Sequence, residues 1–392
     1  MSRLEGYTTI LVCLPLFPKH SFYYLSGANF PDCAVTYDIA HDNLILWVPY
    51  VEPRQVLWYG STPSPKECLS RLDVDDVRYT SAMDDYMNVT LQTNTCYVLH
   101  RDQTPTLLGG PPFMHLGSSS QAPIRFNVSK LLPAMDAARV VKTDYEVAMI
   151  RKANDVSSAA HRAVAKKLVG FQNEREVDAL FRSECAVRGG KTMAYAVIAG
   201  AGTKAATLHY DANDQPLDGK QLLVLDAACE WDCYAADITR TLPLCPLTQE
   251  SEEVYAVVEK MQKECIENIR PGVLYYKLHL HACAVALVGL MRLGILKGGS
   301  VGEIWNAGTV AAFFPHGLGH HVGLEVHDVP GRERLLLEES GDGREKLGMR
   351  LGKRGFVTPE GLGQLRPSAD PRPYKGRQKL EKNMIVTVEP GM

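Results

Sequence analysis

The chain has 392 residues, two to three domains' worth at about 150 residues each. Its 45% hydrophobic and 22% charged residues are ordinary globular values that exclude a disordered or fibrous chain. Forty-two basic against 45 acidic residues leave a formal charge of −3, which removes the simple electrostatic case for a nucleic-acid or anionic-membrane binder. The longest uninterrupted apolar run, residues 282–291, is about half the ~20 residues needed to cross a bilayer. Ten cysteines are scattered without a CxxC pair, so a soluble protein of a reducing compartment, the cytoplasm, is expected. Cys233, Cys245 and Cys265 read as small core residues.

Residues 1–20 form an atypical opening. Arg3 and the apolar run 8–17 have the outline of a signal peptide, but Glu5 and Pro15 interrupt it and no small-residue cleavage site follows. Residues 21–141 place strand-like runs at 34–37, 44–51 and 95–99 between turn-rich stretches at Pro63, Pro65 and 109–112, with a helix near 81–91. A mixed α/β domain is predicted there.

The texture changes at Thr143. Thr143-Asp144-Tyr145-Glu146 is a capping box, and behind it Tyr145, Met149, Ala153, Val156, Ala160, Val164 and Leu168 form one apolar stripe of a long helix. A second helix begins after Asn173 with Val177, Phe181 and Cys185 inward, and stops at Gly189-Gly190. A third runs from about Thr248 through Val254, Val258, Met261, Cys265 and Ile269 to Pro271, and a fourth covers 275–293. Strand-like runs at 194–198, 221–225, 233–241 and 384–388 alternate with these helices, which predicts a second α/β or α+β domain over 142–392. Residues 331–373 read as a polar surface insertion.

Chemistry collects in this second part. Asp226 closes the apolar run 222–225, and Asp237 lies on the next strand-like segment, so a hairpin places both carboxylates toward one space. An ionised carboxylate at the end of a buried strand is costly unless something pairs with it. Residues 314–328 hold four of the twelve histidines, His316, His320, His321 and His327, among glycines that let backbone approach a site closely. Gly317 and Gly319 argue against a zinc-binding helix. Glu389 ends the run 385–388 at a Pro-Gly turn. Two aspartates, a histidine and a glutamate form a mixed oxygen and nitrogen set suited to Mn²⁺, Co²⁺ or Zn²⁺. His209, after the loop with Gly200 and Gly202, suits substrate contact better than metal ligation.

The order Leu208-His209-Tyr210, then Asp226 and Asp237 in LDAACEWDCYAADITRT, then HGLGHHVGLEVHD, then TVEPG resembles the proline-specific metallopeptidases of the pita-bread fold. These are the prolidases and Xaa-Pro aminopeptidases, and the fungal Xaa-Pro aminopeptidase branch is most similar. Residues 142–146 resemble the segment where these proteins enter their catalytic domain. The resemblance implies an α+β protein: a creatinase-like N-terminal α/β domain over 21–141, then a pita-bread domain over 142–392. It implies a hydrolase that removes the residue before a penultimate proline, two Mn²⁺ per subunit (or Co²⁺ or Zn²⁺), proline-containing peptides as substrates and a homodimer.

Carried over by position, the resemblance implies that Asp226 and Asp237 hold both ions, with Asp237 bridging, and that His320 and Glu389 hold one of them. The ion pair would acidify a bridging water whose hydroxide attacks the carbonyl before proline. Glu389 would shuttle the proton. His209 and His327 would contact substrate and stabilise the tetrahedral intermediate, and His316 and Arg377 would bind substrate. The family's fifth ligand is a bridging glutamate well beyond TVEPG, with no counterpart before Met392. The catalytic domain is therefore expected to be incomplete at its C-terminal end, the second ion weakly bound and activity impaired. A prolidase-type dipeptidase is the nearest enzymatic variant. The alternative of another class is a non-catalytic pita-bread binding module, which the four surviving ligands disfavour.

Overall fold

The structure is a computed structural model that describes residues 9–13, 19–87, 95–100, 125–329, 335–339, 345–347 and 377–392. Most of the insertion predicted at 331–373 and the end of the helix predicted at 81–91 lie outside the described residues. The chain divides into two compact units, Met1–Ala138 and Arg139–Met392. Among the described residues no helix is long and apolar enough to cross a membrane.

The first unit is built on a six-stranded sheet of order β4-β3-β2-β1-β5-β6. Its strands are β1 (Thr9–Cys13), β2 (Ala34–Asp38), β3 (Asn43–Val48), β4 (Asp76–Tyr79), β5 (Thr95–Tyr97) and β6 (Arg125–Asn127). The opening residues thus supply a strand to the middle of the sheet. β1 pairs antiparallel with β2 and parallel with β5, a placement its β-branched sequence TILVC suits. Side chains alternate along β3: Leu46 and Val48 enter one core with Phe22 and Tyr97, while Ile45 and Trp47 enter another with Met83 and Cys96. The sheet is therefore buried on both faces. Helices α1 (Lys19–Ser26), α2 (Pro53–Tyr59), α3 (Pro65–Arg71), the single turn α4 (Met83–Asp85) and α5 (Leu131–Arg139) connect or flank the strands.

The second unit opens with α6 (Asp144–Lys167). The Thr143 hydroxyl accepts from the Glu146 amide at 3.3 Å, and the Glu146 carboxylate accepts from the Thr143 amide at 2.7 Å. The buried face of α6 is set one residue on from the predicted stripe in its first turns. Tyr145 is exposed while Glu146 and Ile150 are buried, because the glutamate folded back on the cap carries its turn inward. From Ala153 onward the stripe holds. α7 (Glu174–Val187) buries Val177, Phe181 and Cys185 against it, as the spacing predicts.

A three-stranded antiparallel sheet, β11-β8-β7, follows, built from β7 (Ile198–Ala201), β8 (Leu222–Asp226) and β11 (Thr239–Pro243). Two expectations change here. The run 194–198 is a strand only from Ile198. The run 233–241 is split, because Asp232 and Cys233 both take positive φ (46° and 66°) and turn β9 (Glu230–Trp231) onto β10 (Tyr234–Ala235). Helices α8 (Gln249–Glu267), α9 (Tyr275–Arg292) and α10 (Val301–Asn306) and a short antiparallel pair, β12 (Leu337–Glu339) and β13 (Glu345–Leu347), complete the described elements. Met261 and Cys265 of α8 and Tyr275, Tyr276 and Leu287 of α9 form a core with Phe314 and Leu318. Cys233 and Cys265 are buried as expected, but Cys245 is exposed, since it falls in the turn after β11 rather than on a packed face.

Thr143→Ala removes a hydroxyl acceptor from the first turn of α6 while leaving its buried face intact. A loss of about 1 kcal/mol is expected, read as a shift in the urea midpoint of the second unit with unchanged slope.

Candidate active site

β8 is the central strand of its sheet, and Asp226 at its end stands opposite Ile198 on one side and Thr239 on the other. Asp237 lies in the irregular link between β10 and β11 rather than on a strand. The hairpin relation predicted for the two acids is therefore indirect, since Asp226 faces Thr239, two residues beyond Asp237. Tyr195 joins them: its hydroxyl lies 2.5 Å from Asp226 Oδ1 and 3.1 Å from Asp237 Oδ1.

Residues 314–328 are irregular, as the glycines predict. The run 384–388 is extended but not a regular strand. It is laced to the histidine segment by amide bonds from Thr387 to the His320 carbonyl (2.9 Å), from Glu389 to Leu318 (2.8 Å) and from Val322 to Ile385 (3.1 Å). The lacing is close enough that a Cβ on Gly319 would sit 2.4 Å from Thr387 Oγ1 and 2.7 Å from Tyr275 Oη. Only glycine fits there.

This lacing brings Glu389 to His320. His320 Nε2 stands 3.0 Å from Glu389 Oε1 and 3.2 Å from Asp237 Oδ2. Asp237, His320 and Glu389 each offer a ligand atom, all within 4.8 Å of one another. Asp226 is outside that trio but tied to it through Tyr195. Thr387 accepts from the His320 amide at 3.0 Å and donates to Glu389 Oε1 at 2.6 Å. The second imidazole nitrogen of His320 is 2.9 Å from the His321 carbonyl. With its proton on that nitrogen, Nε2 is aimed at the carboxylates.

Burial is the main force that pushes the Asp226 carboxyl up to about 6, and the charges of Asp237 and Glu389 add to it. Burial opposes charge on His320, yet its contacts with Asp237 and Glu389 prevail and raise it to about 10. Burial also opposes charge on Glu389, but the His320 contact holds its carboxyl below the ordinary range. Tyr195 is pushed far up by burial and by the two aspartates. It stays a hydrogen-bond donor.

The other sites predicted from sequence are distributed around this group. The His327 ring packs edge-on against His320 with centroids 4.3 Å apart, and burial and the His320 charge hold it below the usual imidazole range. His209 is exposed and close enough for its charge to add to that depression. His316 lies beside Gly391, its Nε2 3.4 Å from where a Cβ would stand. Arg377 is not brought to the trio. It is buried with its guanidinium 3.5 Å above the Tyr276 ring and donates to the Leu336 carbonyl at 2.5 Å, so it serves packing here. Tyr195 and Thr387 went unnoticed in the sequence, although an aromatic at the end of a strand-like run and a threonine two residues before Glu389 were there to be read.

Two carboxylates on one imidazole and a third joined through Tyr195, with no lysine or arginine paired to any of them among the described residues, form an anionic pocket of oxygen and nitrogen donors. The donor set fits a divalent cation of the borderline class. The imidazolium proton of His320 stands where such a cation would.

Comparison with known proteins agrees with the site. The Metallopeptidase family M24 matches residues 148–392, and the Aminopeptidase P N-terminal domain matches residues 14–99. A probable Xaa-Pro aminopeptidase of Colletotrichum graminicola is 59% identical over 384 residues, 95% of this chain and 71% of that protein. One from Metarhizium acridum is 51% identical over 383 residues, 95% of this chain and 72% of that protein. The low-pH form of aminopeptidase P from E. coli superposes with a TM-score of 0.77 at 24% identity, covering 99% of this chain and 83% of that one. The chain belongs to metallopeptidase family M24, a hydrolase family that works with divalent metal ions, here in its pita-bread fold behind an aminopeptidase P N-terminal domain.

Cation binding must displace the His320 proton and the fraction of protons on Asp226. Affinity for a divalent cation is therefore expected to rise from pH 6 to pH 8, with net proton release on binding. Calorimetry in two buffers of different ionisation enthalpy measures both.

Proposed function

We propose that this chain acts as an Xaa-Pro aminopeptidase, releasing the N-terminal residue that precedes a penultimate proline, with two Mn²⁺ per subunit. The observation that carries the reading is the meeting of Asp237, His320 and Glu389, with Asp226 joined through Tyr195. In this reading Asp226 and Asp237 would hold both ions, and His320 and Glu389 one of them; Co²⁺ or Zn²⁺ are alternatives. Bound there, the ions supply Lewis acidity that lowers the pKa of water and polarises a carbonyl oxygen.

The remaining work falls to side chains. Glu389, fixed by Thr387, takes a proton from the attacking water and returns it to the departing proline nitrogen. As in any amide hydrolysis the departing nitrogen must gain a proton as the C–N bond breaks, and the carboxylate that took it from the water can supply it. His327, packed edge-on against His320, and His209 donate to the oxyanion that develops on the scissile carbonyl. His316, beside Gly391, orients the substrate. Arg377 has no part in this reading, given its place under Tyr276. A strict dipeptidase would share all of these groups. A non-catalytic binding module is disfavoured by the intact set of four ligands.

Proline-containing peptides are the proposed partners, a homodimer the assembly and the cytoplasm the location, the last supported by the nine free cysteines among the described residues.

The test is cleavage of Xaa-Pro dipeptides and tripeptides with and without Mn²⁺. Mn²⁺-dependent release of the first residue from the tripeptide is expected. His327→Ala should cost about 10²–10³ in kcat. Absence of cleavage, or cleavage indifferent to Mn²⁺, overturns the function.

A further inference from the structure

A buried ion cluster lies directly beside the site. Asp328 is 1% exposed, and its two oxygens each take one cation: Arg139 Nη2 at 2.6 Å and Lys142 Nζ at 2.8 Å. Glu325 stands 3.5 Å from the same Arg139 nitrogen, so two cations meet two anions. The Lys142 side chain is fully buried. Its own amide donates to the Asn383 carbonyl at 2.9 Å, on the segment that leads to Glu389. The Asp328 amide donates to the His321 carbonyl at 3.0 Å. A Cβ on Gly323 would come 2.4 Å from Asp328 Oδ2 and 3.0 Å from Lys142 Cε, so the loop closes tightly over the cluster.

The residue after Asp328 adds a second constraint. Val329 is wholly buried with φ at 49°, a left-handed conformation that β-branched residues avoid. Strain of this kind persists only where surrounding contacts over-determine it. His327 immediately precedes the clamped aspartate, and its ring meets His320 edge-on at 4.3 Å.

We infer that Asp328 is a positioning residue for His327, anchored by Arg139 and Lys142. With both carboxylate oxygens and the amide of residue 328 committed, the backbone direction from which His327 leaves the loop is fixed, and so is the approach of its ring to His320. The inference rests on the reading of His327 as a substrate-contacting group. It goes beyond that reading in giving two buried cations control over its aim.

Lys142→Met, nearly equal in volume, removes one anchor and leaves Asp328 paired with Arg139. The ¹H–¹³C ring resonance of His327, assigned by its loss in His327→Gln, is expected to shift in Lys142→Met and to return toward its original position in Lys142→Arg. On Xaa-Pro tripeptide, kcat per folded molecule should fall about ten- to a hundredfold, with a smaller change in KM. Should Lys142→Met fail to fold, Gly323→Ala presses on the same carboxylate oxygen that Lys142 holds and is read the same way. A lowered melting temperature with an unmoved His327 resonance and unchanged kcat per folded molecule overturns the inference. Unchanged turnover in His327→Gln instead overturns the reading of His327, while the resonance still decides whether the clamp positions it.

Discussion

Mutual repulsion is the constraint around which the second unit is arranged. Asp226, Asp237 and Glu389 carry like charges into a half-buried space, and burial alone pushes Asp226 toward its neutral form. Such a gathering lasts only where something positive stands among the carboxylates. Without a cation the imidazolium of His320 does so, reaching two of the acids at 3.0 and 3.2 Å. Tyr195 relieves the remainder by placing one hydroxyl against both aspartates. The geometry that makes the site costly when bare also makes it a cation trap. Each ligand gains more from a dication than from a shared proton.

Holding acids together against repulsion requires a stiff frame, and the frame is made by irregular backbone rather than by long strands. The histidine segment is hydrogen-bonded on one side to residues 385–389 and on the other to β10, through the Ala235 amide to the Gly323 carbonyl at 2.8 Å. Asp237 follows Ala235 by two residues. Three stretches far apart in the chain are thus sewn into one piece at the points where their ligands project. Gly319 and Gly323 permit the approach, since a side chain at either would displace a hydroxyl or a carboxylate.

How much of this the chain discloses in advance depends on how local each signal is. The capping box at Thr143 and Glu146, the stripe of α7 and the apolar run of β8 are written within one or two turns of sequence, and they fold as read. Asp237, His320 and Glu389, which the fold brings together, stand out in the sequence because carboxylates and imidazoles are expensive at strand ends and between glycines. The errors are non-local. Nothing between 233 and 241 announces that Asp232 and Cys233 will both take positive φ and split the strand. The extended run 384–388 finds its hydrogen bonds with a glycine-rich loop rather than with a strand, so periodicity overstated its regularity. Tyr195 could be assigned only after its two acceptors were in place, and the stacking of Arg377 on Tyr276 joins residues far apart in the chain.

The cluster of Arg139, Lys142 and Asp328 poses the question of why ions should occupy a position that apolar side chains could fill. Desolvating two cations and two carboxylates offsets most of their attraction, so such a cluster is weak evidence for stability. Its use is directional. An apolar contact tolerates sliding, whereas a carboxylate clamped on both oxygens, with its own amide also bonded, admits one orientation. The left-handed Val329 next to it would relax if that orientation were optional. Lys142 also grips the segment of Glu389 through its amide, so one residue sets the histidine loop and the terminal ligand relative to each other. In a site whose chemistry depends on where an imidazole stands to within a fraction of an ångström, orientation is worth the desolvation it costs.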